Sequence, residues 1–179
     1  MIVDDEEAAR YGMRRALTTF GYTITEAGSA EAARLLLKQQ ETDLVLLDVN
    51  LPGLSGLDFQ SRLAELGIGL PVVLMSGHGD IPMSVRGMKA GAVDFLTKPF
   101  RDQDMLDSVM TAIKRDRERR EERKAVTGLR EHFETLTERE REVLGLVAAG
   151  LMNKQIAAQI GVAEITVKIH RGRVMKKMG

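Results

Sequence analysis

The sequence predicts an α/β fold, a doubly wound five-stranded parallel sheet, followed by a smaller all-α domain built on a helix-turn-helix. Three observations predict it. Through the first two-thirds of the chain, short apolar runs alternate with stretches whose apolar residues recur at helical spacing. The run Leu44-Val45-Leu46-Leu47 is apolar at every position, the pattern of a strand buried on both faces. From Thr137 onward the pattern is helical throughout, and start and stop signals follow one another closely.

Taken in order, strands are expected at residues 2–3, 22–26, 44–47, 72–75 and 95–97. Helical windows between and after them carry Met13, Ala16, Leu17 and Phe20, then Phe59, Leu63 and Leu66, then Leu106, Val109, Met110 and Ile113. Residues 114–124 read KRDRERREERK, without one apolar side chain. Such a stretch buries no face, and its mixed charges at helical spacing favour a solvated continuation of the preceding helix. The boundary therefore falls near residues 125–134. It divides the chain into a first domain (1–113), a charged helical linker (114–134) and a second domain (135–179). Thr137-Glu138-Arg139-Glu140 is a capping box opening a helix with Val143, Leu144 and Val147. Asn153 is placed to cap the next helix, which carries Ile156, Ala157 and Ile160. Gly161 stops that helix, and the last one starts near Glu164. Two short helices about a Gly-containing turn make a helix-turn-helix running from Asn153 to Gly172.

At 179 residues, 44% hydrophobic and 29% charged, the chain has the composition of a soluble folded protein. It has no cysteine, which excludes disulfides and thiolate metal sites, and His78, His132 and His170 share no zinc-ligand spacing. No apolar run reaches membrane-spanning length and no signal peptide is visible, so a cytoplasmic protein without membrane contact is expected. The net charge of zero hides an asymmetry. Residues 1–105 hold 10 Lys and Arg against 15 Asp and Glu, giving −5, whereas residues 153–179 hold 6 against 1, giving +5. The two ends are built for different partners.

Polar residues follow four of the strands: Asp4 and Asp5, Asp48, Ser76 and Lys98. In a parallel sheet these positions share the edge where open α/β folds place their sites. Three carboxylates offer hard oxygens to Mg2+, with Mn2+ as the alternative occupant. Asp48 is suited to act as a carboxylate nucleophile that forms an acyl phosphate. Lys98 can neutralise, and Ser76 can hydrogen-bond, the oxygens of a transferred phosphoryl group. Any one of these residues alone is an ordinary strand-end polar group; five converging define a site. A haloacid-dehalogenase-type enzyme uses similar chemistry, but it needs a second Asp where this chain has Asn50.

The segments IVDDEE, LVLLDVNLPGLSG, VVLMSGHGD and AVDFLTKPF resemble a CheY-like receiver domain. With LTEREREVLGLVAAGLMNKQIA and TVKIHRGRVMKKM added, nearly the whole chain resembles the FixJ/NarL group of response regulators, which carry a LuxR-type DNA-binding domain. That resemblance implies a two-component transcription regulator rather than an enzyme, with self-phosphorylation and slow autodephosphorylation its only chemistry. Asp48 would be the phosphoacceptor for a sensor histidine kinase. Asp4, Asp5, Asp48 and the backbone carbonyl of Asn50 would bind Mg2+, and Lys98 would hold the phosphoryl group. Ser76 and Phe95 would form the switch pair, and the Lys98–Pro99 peptide would be cis. A homodimer on phosphorylation, double-stranded DNA and RNA polymerase are the further partners implied.

On the last helix, Val167, Val174 and Met178 form the stripe expected inside. Lys168, Gly172 and Lys176 then lie on the other side, with Ile169 and Arg173 beside them. A basic outer face with an exposed apolar residue suits a major-groove reader, and Ile169 can touch a thymine methyl. By the resemblance, positions Lys168, Ile169 and Gly172 face the bases, while Thr166, Arg171 and Arg173 meet phosphate. A helical tail that binds protein is the rival reading, and the outward basic residues weigh against it. The sequence departs from the family at three points. Ala163 stands where Ser usually caps the helix, at a cost of about 1 kcal/mol. Met1 directly precedes Ile2, which leaves a short first strand. The chain stops at Gly179, where a fourth helix usually follows, so dimerisation is expected to fall to the first domain.

Overall fold

Five strands, β1 (Ile2–Val3), β2 (Glu26–Ala27), β3 (Val45–Asp48), β4 (Val72–Ser76) and β5 (Asp94–Thr97), form one all-parallel sheet. Their order is β2-β1-β3-β4-β5. Parallel neighbours must be joined by crossovers, and α1 (Glu7–Thr19), α2 (Ala30–Gln39), α3 (Gly56–Glu65) and α4 (Ile81–Lys89) lie in those connections. Then come α5 (Asp102–Glu134), α6 (Glu138–Ala148), α7 (Asn153–Ile160) and α8 (Glu164–Met178). The structure, a computed structural model, describes residues 1–77 and 81–179. His78 and the end of the segment VVLMSGHGD lie outside the described residues. The chain divides into two units, 1–118 and 119–179.

Strand periodicity sorts the first unit's apolar side chains onto two faces. Val45 and Leu47 of β3 with Val72 and Leu74 of β4 pack against Ala30 and Ala33 of α2 and Leu57, Phe59 and Leu63 of α3. The alternate residues Leu46, Val73 and Met75 pack against Met13 and Leu17 of α1 and Met105, Leu106, Val109 and Ala112 of α5. Leu47 and Leu74 are fully buried, and burial of each side chain contributes roughly 2 kcal/mol.

The sheet is as expected in its central strands and differs at one edge. Residues 22–26 do not form a five-residue strand. β2 is only Glu26–Ala27, because Ile2 and Val3 are the sole residues β1 presents to it. Tyr22 and Ile24 instead pack beside the second core. Helices α2 and α4 occupy segments to which the apolar pattern assigns no helical window. On α2 the buried residues are Ala30 and Ala33, and on α4 only Gly87, so neither helix shows a stripe of large apolar side chains. Phe20, Leu66 and Met110, expected on inner faces, are exposed. The charged stretch 114–124 is helical, and the buried residues of α5 all fall between Met105 and Asp116.

In the second unit, Val143 of α6, Ile156, Ala157 and Ile160 of α7 and Val167 of α8 form the core. The capping box is present: Thr137 Oγ1 accepts from the Glu140 amide at 3.3 Å, and Glu140 Oε2 accepts from the Thr137 amide at 2.9 Å. Asn153 is not the cap of α7. Met152 holds that position, its amide donating to Gln155 Oε1 at 2.8 Å, and Asn153 is the first helical residue. Its side chain turns to α8 instead. Gly161 closes α7 in the left-handed region, at φ 69°, as its place in the sequence implied.

One glycine fixes where α3 can start. A Cβ on Gly56 would lie 2.1 Å from the carbonyl oxygen of Asp48 and 2.9 Å from Val49 Cα, both backbone atoms. The Gly56 amide donates to Val49 O at 2.9 Å, tying the helix start to the strand end. Gly56→Ala must therefore push the Asp48 backbone aside. It is expected to lower stability by about 1–3 kcal/mol or more, read as a fall in the urea midpoint followed by circular dichroism. Gly145→Ala, inside α6 where a Cβ meets nothing within 4 Å, serves as the control that should hold or raise the midpoint.

Candidate phosphorylation site and nucleic-acid interface

Strand order reverses between β1 and β3, and the ends of these two strands carry the carboxylates. Asp4 and Asp5 follow β1, and Asp48 ends β3. Asp4 is fully buried and Asp48 is 4% exposed. Each folds one oxygen back onto its own loop: Asp4 Oδ1 accepts from the Glu6 amide at 2.9 Å, and Asp48 Oδ1 from the Asn50 amide at 3.1 Å. Their second oxygens face each other across Lys98. Its Nζ donates to Asp4 Oδ2 at 2.6 Å and to Asp48 Oδ2 at 2.8 Å. Lys98 follows β5, its amide bonded to Ser76 O at 2.8 Å, and the Lys98–Pro99 peptide is cis. Burial opposes the charge of Lys98. Its hydrogen bonds to Asp4 and Asp48 and their charges outweigh that and hold the ammonium above its ordinary pKa.

Asp4, Asp5 and Asp48 each offer a carboxylate oxygen, and these oxygens lie within 4.8 Å of one another. Three carboxylates against one ammonium leave a charge of −2 on partly dehydrated oxygen donors, which fits a hard divalent cation. This is the sole such acidic group among the described residues. Ser76, fully buried, accepts from Asn50 Nδ2 at 3.4 Å and donates to Met83 Sδ at 3.8 Å. Asn50 thus spends its side chain on Ser76, where a dehalogenase-type site would hold a second acid. Phe95 is half-buried against the first core, paired in register with Leu74.

Two contacts around the site carried no sequence signal. Arg10 Nη1 donates to the backbone oxygens of Asp4 at 2.7 Å and Asp5 at 3.1 Å, clamping the loop that bears both acids. Beside Phe95, Asp94 Oδ2 accepts from Ser108 Oγ of α5 at 2.5 Å, while Asp94 Oδ1 accepts from the Phe95 amide at 2.8 Å.

In the second unit α8 buries Val167 and Val174, and Met178 is half-buried. Lys168, Ile169, Arg171, Gly172, Arg173 and Lys176 are exposed, and Thr166 is half-buried. Ala163 precedes α8 without a side-chain cap bond. The helix is tied down elsewhere. Arg171 Nη1 donates to Asn153 Oδ1 at 3.1 Å, and Lys177 Nζ donates to Glu140 Oε2 at 2.7 Å and to Thr135 O at 3.1 Å.

Residues 1–110 match the family described as response regulator receiver domain, and residues 134–179 the bacterial regulatory proteins of the luxR family. Nodulation protein W of Bradyrhizobium diazoefficiens is 52% identical over 177 residues, covering 99% of this chain and 78% of that protein. The transcriptional regulatory protein FixJ of Rhizobium meliloti is 38% identical, with 99% and 87% covered. Of solved structures, the response regulator StyR superposes with a TM-score of 0.84 at 40% identity, over 99% of this chain and 89% of that one. Full-length FixJ from B. japonicum gives 0.65 at 33%, over 99% and 87%. Sheet order, acidic cluster and C-terminal helices together define a transcription regulator of a two-component system, a class distinct from classical enzymes. The chain belongs to the FixJ-type response regulators, a receiver domain followed by a LuxR-type DNA-binding domain. No described helix is long and apolar enough to cross a membrane.

The lock on α8 titrates. The hydrogen bond from Lys177, with the Thr137 amide, lowers the Glu140 carboxyl from its usual 4.5 to about 2. A carboxyl depressed on folding contributes stability above its unfolded pKa, and that contribution fades as pH falls from 4.5 towards 2. Glu140→Gln is expected to flatten the pH dependence of unfolding over this window and to leave it unchanged above pH 6. Carboxyl titration by NMR should place the Glu140 midpoint near 2 in the unsubstituted protein.

Proposed function

We propose that Asp48 is the phosphoacceptor and that its phosphorylation by a sensor histidine kinase switches dimerisation and sequence-specific DNA binding. The observation that carries this is the setting of Asp48. It ends a fully buried strand with one oxygen on the Asn50 amide and the other on Lys98, beside Asp4 and Asp5. A carboxylate oxygen of Asp48 attacks the phosphorus of a phosphohistidine; the P–O bond forms, the P–N bond breaks, and the pair returns to imidazole. Asp4, Asp5, Asp48 and the backbone carbonyl of Asn50 hold Mg2+, with Mn2+ as substitute, and the bound ion supplies positive charge to the phosphoryl oxygens. Lys98 exchanges a carboxylate oxygen for a phosphoryl oxygen. The Ser76 hydroxyl leaves Met83 to donate to another, and Phe95 moves into the space behind it. The remaining chemistry is self-phosphorylation from small phosphodonors and slow autodephosphorylation.

In this reading residues 1–113 are the receiver, 114–134 the charged linker and 135–179 the DNA-binding domain. The helix-turn-helix from Asn153 to Gly172 sets α8 in the major groove. Lys168, Ile169 and the bare Gly172 position meet base edges, while Thr166, Arg171, Arg173 and Lys176 meet the backbone. The cytoplasm is its compartment, and RNA polymerase its partner once bound to an operator.

Incubation with acetyl phosphate and Mg2+ is expected to add one phosphoryl group by intact mass, absent in Asp48→Asn and with chelator. Normal labelling of Asp48→Asn places the acceptor elsewhere and overturns the assignment. In sedimentation the labelled protein is expected to shift from monomer to dimer. On DNA, Arg173→Ala should weaken all sequences alike and reduce the salt slope by about one unit. Lys168→Ala should relax base preference at one position, by about 1–3 kcal/mol if its contact is bidentate.

A further inference from the structure

From Ile165 to Gly172, the centreline of the α8 surface that faces away from Val167 and Val174 carries no polar side chain. At about 100° per residue, the positions opposite the buried pair are Ile165, Ile169, Gly172 and Lys176, with Lys168 and Arg173 to either side. Ile165 is 63% exposed and Ile169 49% exposed, side by side at helical spacing. A Cβ added at Gly172 meets nothing within 4 Å, so the surface one turn further along is open. The first hydrogen-bond donor on the centreline is thus Lys176, and the first turn, where a recognition helix contacts base edges, offers Ile165. Nothing in the second unit covers these two isoleucines, while exposed Lys168, Arg173 and Lys176 flank them with the charge that phosphates require.

We propose that Ile165 is a specificity-determining residue that works with Ile169 as a two-methyl reader, each isoleucine packing on the C5-methyl of a thymine in the major groove. This rests on the reading of α8 as the groove helix and deepens it. An apolar side chain cannot distinguish bases by hydrogen bonding. The thymine methyl is the one apolar group on the major-groove edge. Residues 165 and 169 lie about 6 Å apart along the helix axis, and side chains one turn apart on a groove helix meet successive base pairs. The two thymines are therefore expected on neighbouring base pairs in each half-site.

The test uses the full chain treated with acetyl phosphate and Mg2+. Its preferred duplex is first selected from a random pool, and each thymine is then replaced in turn by uracil, which removes only the methyl. Two replacements per half-site are expected to weaken binding by about fourfold each, the worth of one buried methyl. Ile165→Ala should be indifferent to one of these replacements and Ile169→Ala to the other, while Ile165→Val keeps the sensitivity. Both side chains are exposed, so melting temperatures should match. If a variant does not fold, the uracil series on the unsubstituted protein still decides between two methyls and none. Unchanged binding with uracil at every position, or full sensitivity retained by Ile165→Ala, overturns the proposal. A pool from which no sequence is enriched overturns the groove assignment of α8 itself, and this proposal with it.

Discussion

Asp4 and Asp48 lie almost wholly out of water at the ends of adjacent strands, and buried carboxylates this close are tolerated only when their charge is matched. Lys98 offsets one of the two charges and hydrogen-bonds both carboxylates. To reach both, the lysine must come from β5, two strands away from β3 in the sheet, so β4 has to lie between them at the right height. The parallel order, the register that pairs Asp48 with Met75 and Ser76 with Thr97, and the packing of α3 down onto β3 through Gly56 all serve that one electrostatic requirement. Asp5, exposed and without a share of Lys98, leaves the cluster two charges negative and open to a divalent cation.

Sequence pattern singled out the residues that the structure brings together because they sit at strand ends, where an apolar run stops at a charged residue. Asp48 after Leu44–Leu47 and Lys98 after Leu96 and Thr97 are visible in that way without any knowledge of the fold. What the pattern missed depends on contacts between distant segments. Arg10 is an unremarkable helix arginine until the Asp4 and Asp5 carbonyls come within its reach. Helices α2 and α4 bury small residues, Ala30, Ala33 and Gly87, and at Gly87 a Cβ would lie 2.2 Å from Leu74 Cδ1. A search for large apolar residues at helical spacing passes over both. Asn153 looks like a helix cap by type and place, yet the partner offered by α8, Arg171, is one that spacing cannot reveal.

The second unit solves a different problem, which is to hold a helix whose outer face must stay free. α8 has no side-chain cap at Ala163, so local sequence does little to fix its start. Its direction comes from tertiary bonds instead: Val167 and Val174 in the core, Arg171 on the first residue of α7, and Lys177 on the capping box of α6. Glu140 serves two helices at once, closing the start of one and anchoring the end of another. Of the outward residues, only Arg171 carries one of these bonds; Lys168, Ile169, Gly172, Arg173 and Lys176 take part in none of them.

The short hydrogen bond between Asp94 and Ser108 bears on how the receiver handles force. α5 rests on the sheet chiefly through Met105, Leu106, Val109 and Ala112, and apolar packing is non-directional. Such contacts resist separation far better than they resist sliding. A hydrogen bond of defined length and angle supplies the missing shear stiffness, and Ser108 is the buried serine of α5 that provides it. Because the same carboxylate also holds the Phe95 amide, strand and helix are keyed together next to the aromatic residue. A displacement of β5 relative to this stretch of α5 is then opposed by a directional bond as well as by apolar packing.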